Sequence, residues 1–550
     1  MSHYKPLAEL ETHSVENQPL PFEDRNLFLG DTALSEAVRF HGGASHTEGL
    51  AAFGARCGAA ETIEWSRQAN ENPPRLKSFD RYGHRLDEVD FHPAYHSLMA
   101  LGLDSGVSGS AWTVPVAGHV RHAAMMILMN QADAGVTCPM SMTYACVPAL
   151  RADPALAAEW EPRVAAQAYD PRFIPAAQKT GVTIGMAMTE KQGGSDVRAN
   201  TTRAAPLGGD AYSLTGHKWF CSAPMSDAFL TLAYTDEGLT CFLVPRWRPD
   251  GTRNAIHVMR LKDKMGDKSN ASSEIEYHGA WARRLGEPGR GVRTIIDMVQ
   301  HTRLDCILGS TGGMRAALVQ ALWHTSQRRV FQKTLADQPA MKAVLTDLAL
   351  ESEAATAIAL RVAASFDRAA SDPQEAAFMR LATPVAKYWV CKRQPGFVYE
   401  ALECLGGAGY VEEGPMPRLY RQSPLNAIWE GSGNVIALDI LRAIGREPES
   451  LEAVLHEVDS LRGASPLYDS HIDALKDQLS PGQLHEGTAR RLAQQLALAL
   501  QGAALHASAP DYVFEGFCLQ RLDPVRRGLA YGDVAGEVNQ DAILTRAMPG

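Results

Sequence analysis

The chain has 550 residues, 45% apolar and 21% charged, the balance of a globular protein of three or four domains, which excludes disordered, collagen-like and disulfide-scaffold chains. Its 53 Lys and Arg against 63 Asp and Glu give a formal charge of -10, which argues against a chain devoted mainly to nucleic acid. The nine cysteines are scattered without a C-x-x-C pair, so reduced thiols are expected and no metal site. The amino terminus never sustains the apolar core of a signal peptide, and no run of about 18 apolar residues occurs. A soluble, cytoplasmic protein without membrane attachment is the expectation.

In chain order, residues 1–30, with Pro19 and Pro21, read as an extended arm of the kind that lies on a partner subunit. Residues 31–184 carry the helical period, most clearly from His119 to Gln131, and predict an all-helical domain. Residues 185–290 change texture, with β-rich runs at Phe229–Tyr234, Thr240–Val244 and Glu274–Tyr277 separated by Gly, Pro and Asp, which predicts a compact antiparallel β domain. Helical periodicity returns over 291–446, in segments Gly291–Phe331, Met341–Ala370 and Gln374–Leu405. After the break at Pro448, residues 447–550 predict a further helical domain, notably over Gly487–His506. The whole is an α+β architecture.

Three segments carry chemistry. Met186–Val197 (MAMTEKQGGSDV) combines hydroxyls with Gly193-Gly194, suited to close backbone approach to a phosphate, although a Gly-rich interdomain turn reads the same way in isolation. Gly216–Pro224 (GHKWFCSAP) sets Trp219 and Phe220 beside Cys221 and Ser222, the composition of a wall against a flat ring, or of a strand ending in the core. Leu405–Tyr410 (LGGAGY), followed by Trp429–Asn434 (WEGSGN), places a carboxylate between an aromatic residue and a glycine.

The order of these segments, with the linker Glu287–Val292 and Thr302-Arg303-Leu304, resembles the acyl-CoA dehydrogenase family from about Ala123 to Arg446. Asn72–Asp80, Phe91–Met99 and the last helical domain extend the resemblance to its alkylation-response branch, over nearly the whole chain. That resemblance implies an FAD flavoprotein removing the α-hydrogen of an acyl-CoA as a proton and the β-hydrogen as hydride. It implies Glu430 as the base, with Arg303 beside it; Thr302 stands at the family's other base position and cannot act as a carboxylate. It further implies that Met188, Thr189, Gly194 and Ser195 line the flavin and pyrophosphate, with Phe220, Cys221 and Ser222 along the ring. Arg328, Phe331, Gln338, Glu403, Gly406 and Gly407 hold the FAD of a neighbouring subunit, and Trp429, Ser432, Gly433 and Asn434 complete the site, so a homotetramer is expected. A branched short-chain substrate such as isovaleryl-CoA is implied by the same resemblance.

The sequence departs from the family at Phe220, usually Trp, at Glu403, often Gln, and at Gln332, usually Gly, where a positive φ costs more. Outside the motifs, His92 and His96 read as ordinary helix-start histidines. Lys262, Lys264 and Lys268 read as a solvated β edge. The resemblance also raises double-stranded DNA as a partner of the last domain. Residues 441–550 hold 10 Lys and Arg against 15 Asp and Glu, a poor footprint for a phosphate backbone, with Arg490-Arg491 and Arg526-Arg527 as the local exceptions.

Overall fold

In the computed structural model, which describes residues 6–480, 482–525 and 530–550, the arm has no regular element longer than an isolated bridge between Glu9 and Ser14. Its second half meets α-helical residues of its own chain. Trp323 donates from Nε1 to the Leu20 carbonyl at 2.8 Å, Phe22 meets the Trp323 ring edge-on, and the Asn17 carbonyl accepts from Arg328 at 2.8 Å.

The region expected to be all helical also contains a hairpin, β1 (Arg75–Phe79) and β2 (Arg85–Asp90). Its turn is set by Asp80, whose Oδ1 accepts from Tyr82 N and His84 N at 2.8 and 2.9 Å, an Asx-type turn that runs through Gly83 at φ 88°. The hairpin lies against the β region, where Asp87 accepts from Val258 N at 2.8 Å. His92 caps the helix Pro93–Ser105, its Nδ1 accepting from Ala94 N at 3.2 Å, and His96 bonds the Tyr169 hydroxyl at 2.8 Å. The expected helices follow as α1 (Gly118–Ala132) and α2 (Ala134–Leu150), buried on nearly every side.

Seven strands form the β region: β3 (Ile184–Ala187), β4 (Arg203–Gly208), β5 (Ala211–Ser222), β6 (Ala228–Thr235), β7 (Gly238–Pro245), β8 (Ile256–Leu261) and β9 (Ser272–Leu285). Their order is β3-β6-β4-β5-β9-β7, with β8 on β9. Most pairs are antiparallel as expected, but β3 runs parallel to β6, from Ile184 opposite Ala228 to Ala187 opposite Thr231. The chain enters the sheet from the helical side and leaves through the Gly-rich turn, so it cannot return as a hairpin.

That turn is fixed by Glu190. Its carboxylate is fully buried against Lys218 of β5 at 2.9 Å and accepts from Thr201 N, Thr202 N and both threonine hydroxyls at 2.6–3.1 Å. Burial alone would raise its pKa, but the Lys218 charge and the Thr202 hydrogen bond hold it at about 2.

A two-residue hairpin, β10 (Arg329–Val330) and β11 (Lys333–Thr334), ends α3 (Gly291–Gln327) earlier than the apolar period implied. Two long helices follow, α4 (Pro339–Arg368) and α5 (Pro373–Glu403), then α6 (Gly433–Arg446). The last region is helical, with α7 (Ala489–Ser508) at its centre. It shares one hydrophobic core with α3–α6 and is tied to them by a buried charge cluster. There Glu351 on α4 pairs with Arg393 at 3.0 Å and Arg521 at 2.8 Å, and Arg521 also reaches Asp347 at 2.6 Å. Among the described residues no helix is long and apolar enough to cross a membrane.

Removing one member of a buried ion pair strands the other, at a cost of roughly 3–5 kcal/mol. Lys218→Met is therefore expected to lower chemical-denaturation stability by about that much; an unchanged midpoint would contradict the role given to Glu190.

Candidate active site

Two turns converge on one apolar core. Met188, just past β3, and Trp429, just before α6, both pack against the cluster containing Ile184, Leu243, Ile295 and Met298. The first turn runs from Thr189 to Ser195, with Gly193 at φ 127°. A Cβ on Gly194 would stand 2.5 Å from Thr189 Oγ1, so only glycine fits against that threonine. Thr189 in turn accepts through its carbonyl from Trp219 N at 2.8 Å. This bond falls where the β5–β9 register slips between Lys218 and Cys221, and a bulge of this kind re-aims the side chains it carries.

After the slip Phe220 faces out, 51% exposed, and Cys221 is fully buried in the β core. Ser222 returns to the partly exposed side, its Oγ 3.1 Å from Ser272 Oγ. Strand alternation thus turns the Cys221 side chain away from the face that Phe220 and Ser222 share. Lys262 is also not a solvated edge residue. Its Nζ pairs with Glu274 at 2.6 Å and sits 3.3 Å from the Trp219 ring centroid and 4.8 Å from that of Phe220. Lys264 instead donates to the Asn270 carbonyl at 2.8 Å.

The second turn carries Glu430, a non-glycine residue at φ 57°, followed by Gly431 at φ 113°. A left-handed carboxylate residue costs roughly 1–2 kcal/mol, and such strain persists where the surroundings over-determine it. Arg303 of α3, buried, donates from Nε to the Glu430 carbonyl at 3.2 Å and from Nη1 to Asp439 of α6 at 2.7 Å. Arg380 and Arg442 also approach Asp439, at 3.4 and 3.8 Å. Lys387 of α5 donates to the Gly431 carbonyl at 2.5 Å. Burial pushes the Glu430 carboxyl above its usual range, and the Arg303 charge, a Thr302 hydrogen bond and Lys387 oppose it. Asp439 stays below its usual range, because Arg303 and Arg380 outweigh its burial.

Ser432, Gly433 and Asn434 open α6, with Ser432 extended at the N-cap. The remaining expected residues lie away from this turn. Phe331 and Gln332 form the tip of the β10–β11 hairpin at φ 48° and 69°, the left-handed pair that a two-residue turn demands. Gln332 thus takes the conformation for which glycine is suited. Phe331 is 91% exposed. Arg328 is held by Asn17, and Gln338 donates to the Val330 carbonyl at 3.0 Å. Glu403 ends α5, accepting from the Tyr399 hydroxyl at 3.2 Å, and a Cβ on Gly406 or Gly407 would meet nothing within 4 Å. Arg490 and Arg491 are exposed on α7; Arg526 and Arg527 lie outside the described residues.

An outward aromatic with a hydroxyl on the same face, a glycine turn beside it and open glycines at a second location fit a flavin dinucleotide. A half-buried carboxylate residue, Glu430, follows Trp429 on the turn that packs on the same core. The fold and this arrangement define an acyl-CoA dehydrogenase, a class whose cofactor is FAD. Domain profiles agree: the AidB N-terminal domain of adaptive response proteins matches residues 17–171, and the acyl-CoA dehydrogenase middle and C-terminal domains match 185–280 and 289–445. The chain is 44% identical over 543 residues to the putative acyl-CoA dehydrogenase AidB of Escherichia coli K12, covering 98% of this chain and 99% of that protein. It is 30% identical over 499 residues to acyl-CoA dehydrogenase family member 11 of Caenorhabditis elegans, covering 88% and 77%. The solved structure of Caenorhabditis elegans ACDH-11 in complex with C11-CoA superposes with a TM-score of 0.84 at 29% identity, over 94% of each chain. The FAD complex of a Bacillus anthracis acyl-CoA dehydrogenase shares the fold, with a TM-score of 0.66 at 16% identity, over 88% of this chain and 86% of that one. The chain belongs to the acyl-CoA dehydrogenase family, in its AidB branch.

Gln332→Gly is expected to raise stability by up to ~1 kcal/mol, since glycine populates positive φ without a Cβ penalty. A loss of stability in thermal unfolding would show that Gln332 makes a compensating contact.

Proposed function

We propose that the protein oxidises an acyl-CoA thioester to its trans-enoyl product with Glu430 as the base. The observation that carries this reading is the strained, half-buried turn that presents Glu430 beside Thr302 and Arg303, next to Trp429, which packs on the core that also packs Met188. Thr302 lies within hydrogen-bond distance of the Met298 and Val299 carbonyls at 3.3 and 3.1 Å and also bonds the Glu430 carboxyl; a neutral hydroxyl is no carboxylate base, so the proton-accepting role falls to Glu430.

Its raised pKa serves the reaction. A base gains driving force for proton transfer as its pKa approaches the operating pH, and a positioned carboxylate contributes ~10²- to 10⁴-fold. The α-proton passes to Glu430 as negative charge develops on the thioester oxygen, which would accept a hydrogen bond donated by the Glu430 backbone N–H. When bound, FAD supplies the acceptor for the hydride leaving the β-carbon, so one proton and one hydride depart as the double bond forms. Phe220 and Ser222 would lie along the ring, Met188, Thr189, Gly194 and Ser195 would line the isoalloxazine and pyrophosphate, and Ser432, Gly433 and Asn434 would cap the adenosine side, with Trp429 beside them. Arg328, Phe331, Gln338, Glu403, Gly406 and Gly407 would hold the dinucleotide of a second subunit in a homotetramer, a reading supported by the exposure of Phe331, Glu403, Gly406 and Gly407. The relative solved with C11-CoA supports an acyl thioester as the ligand class. A short branched acyl group and a place in the response to alkylation damage complete the reading.

Glu430→Gln is expected to retain bound flavin yet slow its anaerobic bleaching by the same acyl-CoA by ~10²- to 10⁴-fold. The wild-type rate should rise with pH along a limb displaced above the ordinary carboxylate range, since the base acts only once ionised. Equal bleaching rates in the two proteins would remove Glu430 from the mechanism.

A further inference from the structure

Lys387 is 1% exposed, and no carboxylate pairs with it among the described residues. An ammonium carries three donors and is strongly hydrated in water, so placing one in the interior without a counter-charge is costly. The acceptor that meets it is the Gly431 carbonyl, at 2.5 Å. The chain therefore places a buried cation against the backbone of one specific turn.

The turn explains the placement. Glu430 and Gly431 take two successive left-handed conformations, and each of their carbonyls ends on a cation. Arg303 reaches the first from α3 at 3.2 Å and Lys387 the second from α5 at 2.5 Å. The two hydrogen bonds fix the peptide planes on both sides of Gly431, and with them the direction in which the Glu430 side chain leaves its Cα. A Cβ on Gly431 would meet Ile436 Cδ1 at 3.1 Å, so the turn is also packed closely on its α6 side. Among the described residues Arg303 has Asp439 as a salt-bridge partner, whereas the Lys387 ammonium has no salt-bridge partner and donates to the Gly431 carbonyl of the Glu430 turn.

We infer that Lys387 is a positioning residue for the dehydrogenation, holding the Gly431 carbonyl so that the strained turn stays closed. This rests on the reading of Glu430 as the base. The charged and polar groups that face Glu430 are Thr302 and Arg303 from α3 and Lys387 from α5. From α6, Asp439 acts through Arg303, and is itself approached by Arg380 and Arg442.

The test is anaerobic flavin reduction by an acyl-CoA that bleaches the wild type, measured against pH in holoenzyme carrying Lys387→Arg, Lys387→Gln or Lys387→Met. Glutamine keeps a donor but no charge, methionine keeps neither, and arginine keeps the charge. Loss of the positive charge raises the Glu430 pKa, so the ascending limb should move up by about one pH unit in Lys387→Gln and Lys387→Met and stay near wild type in Lys387→Arg. The plateau rate should fall ~10-fold in Lys387→Gln and ~10²-fold in Lys387→Met, the scale of a small misplacement of a reacting group, with KM little changed. Should Lys387→Met fail to fold, the comparison of Gln with Arg decides the matter. Wild-type limb and plateau in flavin-loaded Lys387→Gln would overturn the role of Lys387 alone. A wild type that no acyl-CoA bleaches at any pH would overturn the dehydrogenase reading and this inference with it.

Discussion

A carboxylate residue in a left-handed turn, with its backbone carbonyls tied to buried cations from two different helices, is the constraint around which the active side of this molecule is arranged. The turn at Glu430 and Gly431 has no regular hydrogen-bond ladder of its own. It holds its shape because α3, α5 and α6 are packed into one core and each contributes a charged group to it: Arg303, Lys387 and Asp439. Helix packing at this density leaves few alternative positions for such groups. The bundle thus fixes the turn at Glu430, and the strain there is tolerated because the packing over-determines it.

The β region supplies the other half by a different device. A buried Glu190–Lys218 pair pins a glycine turn to a strand, and a slip in register aims Phe220 and Ser222 outward while Cys221 turns inward. A glycine at 194, demanded by contact with Thr189, lets this turn close on itself. The result is a flat aromatic and hydroxyl face on a rigid sheet, with the polar cost of a loop at that depth met by threonine hydroxyls and backbone N–H groups.

Much of this was legible in the sequence because the motifs are local. The β-rich runs, the helical period of α4 and α5 and the WEGSGN segment each carry their signal within a few residues. What was not legible depends on residues distant in the chain or on a one-residue shift of register. Lys387 and Asp439 lie in ordinary helical stretches, and nothing in their neighbours marks them as partners of the 430 turn. The inward face of Cys221 follows from a bulge that period-2 counting does not reveal. The β1–β2 hairpin was hidden in a helical region because its strands are short and charged, held more by Asp80 and by contacts to Asp87 than by apolar alternation. At Gln332 the reverse happened: the sequence flagged a costly conformation, and the chain adopts it.

The most direct test of the central claim is anaerobic titration of the purified holoenzyme with short, branched and long acyl-CoA esters, followed by the oxidised-flavin absorbance. The account predicts bleaching by at least one class, with formation of the matching enoyl-CoA. Flavin that is bound and chemically reducible, yet unbleached by every ester, would contradict it.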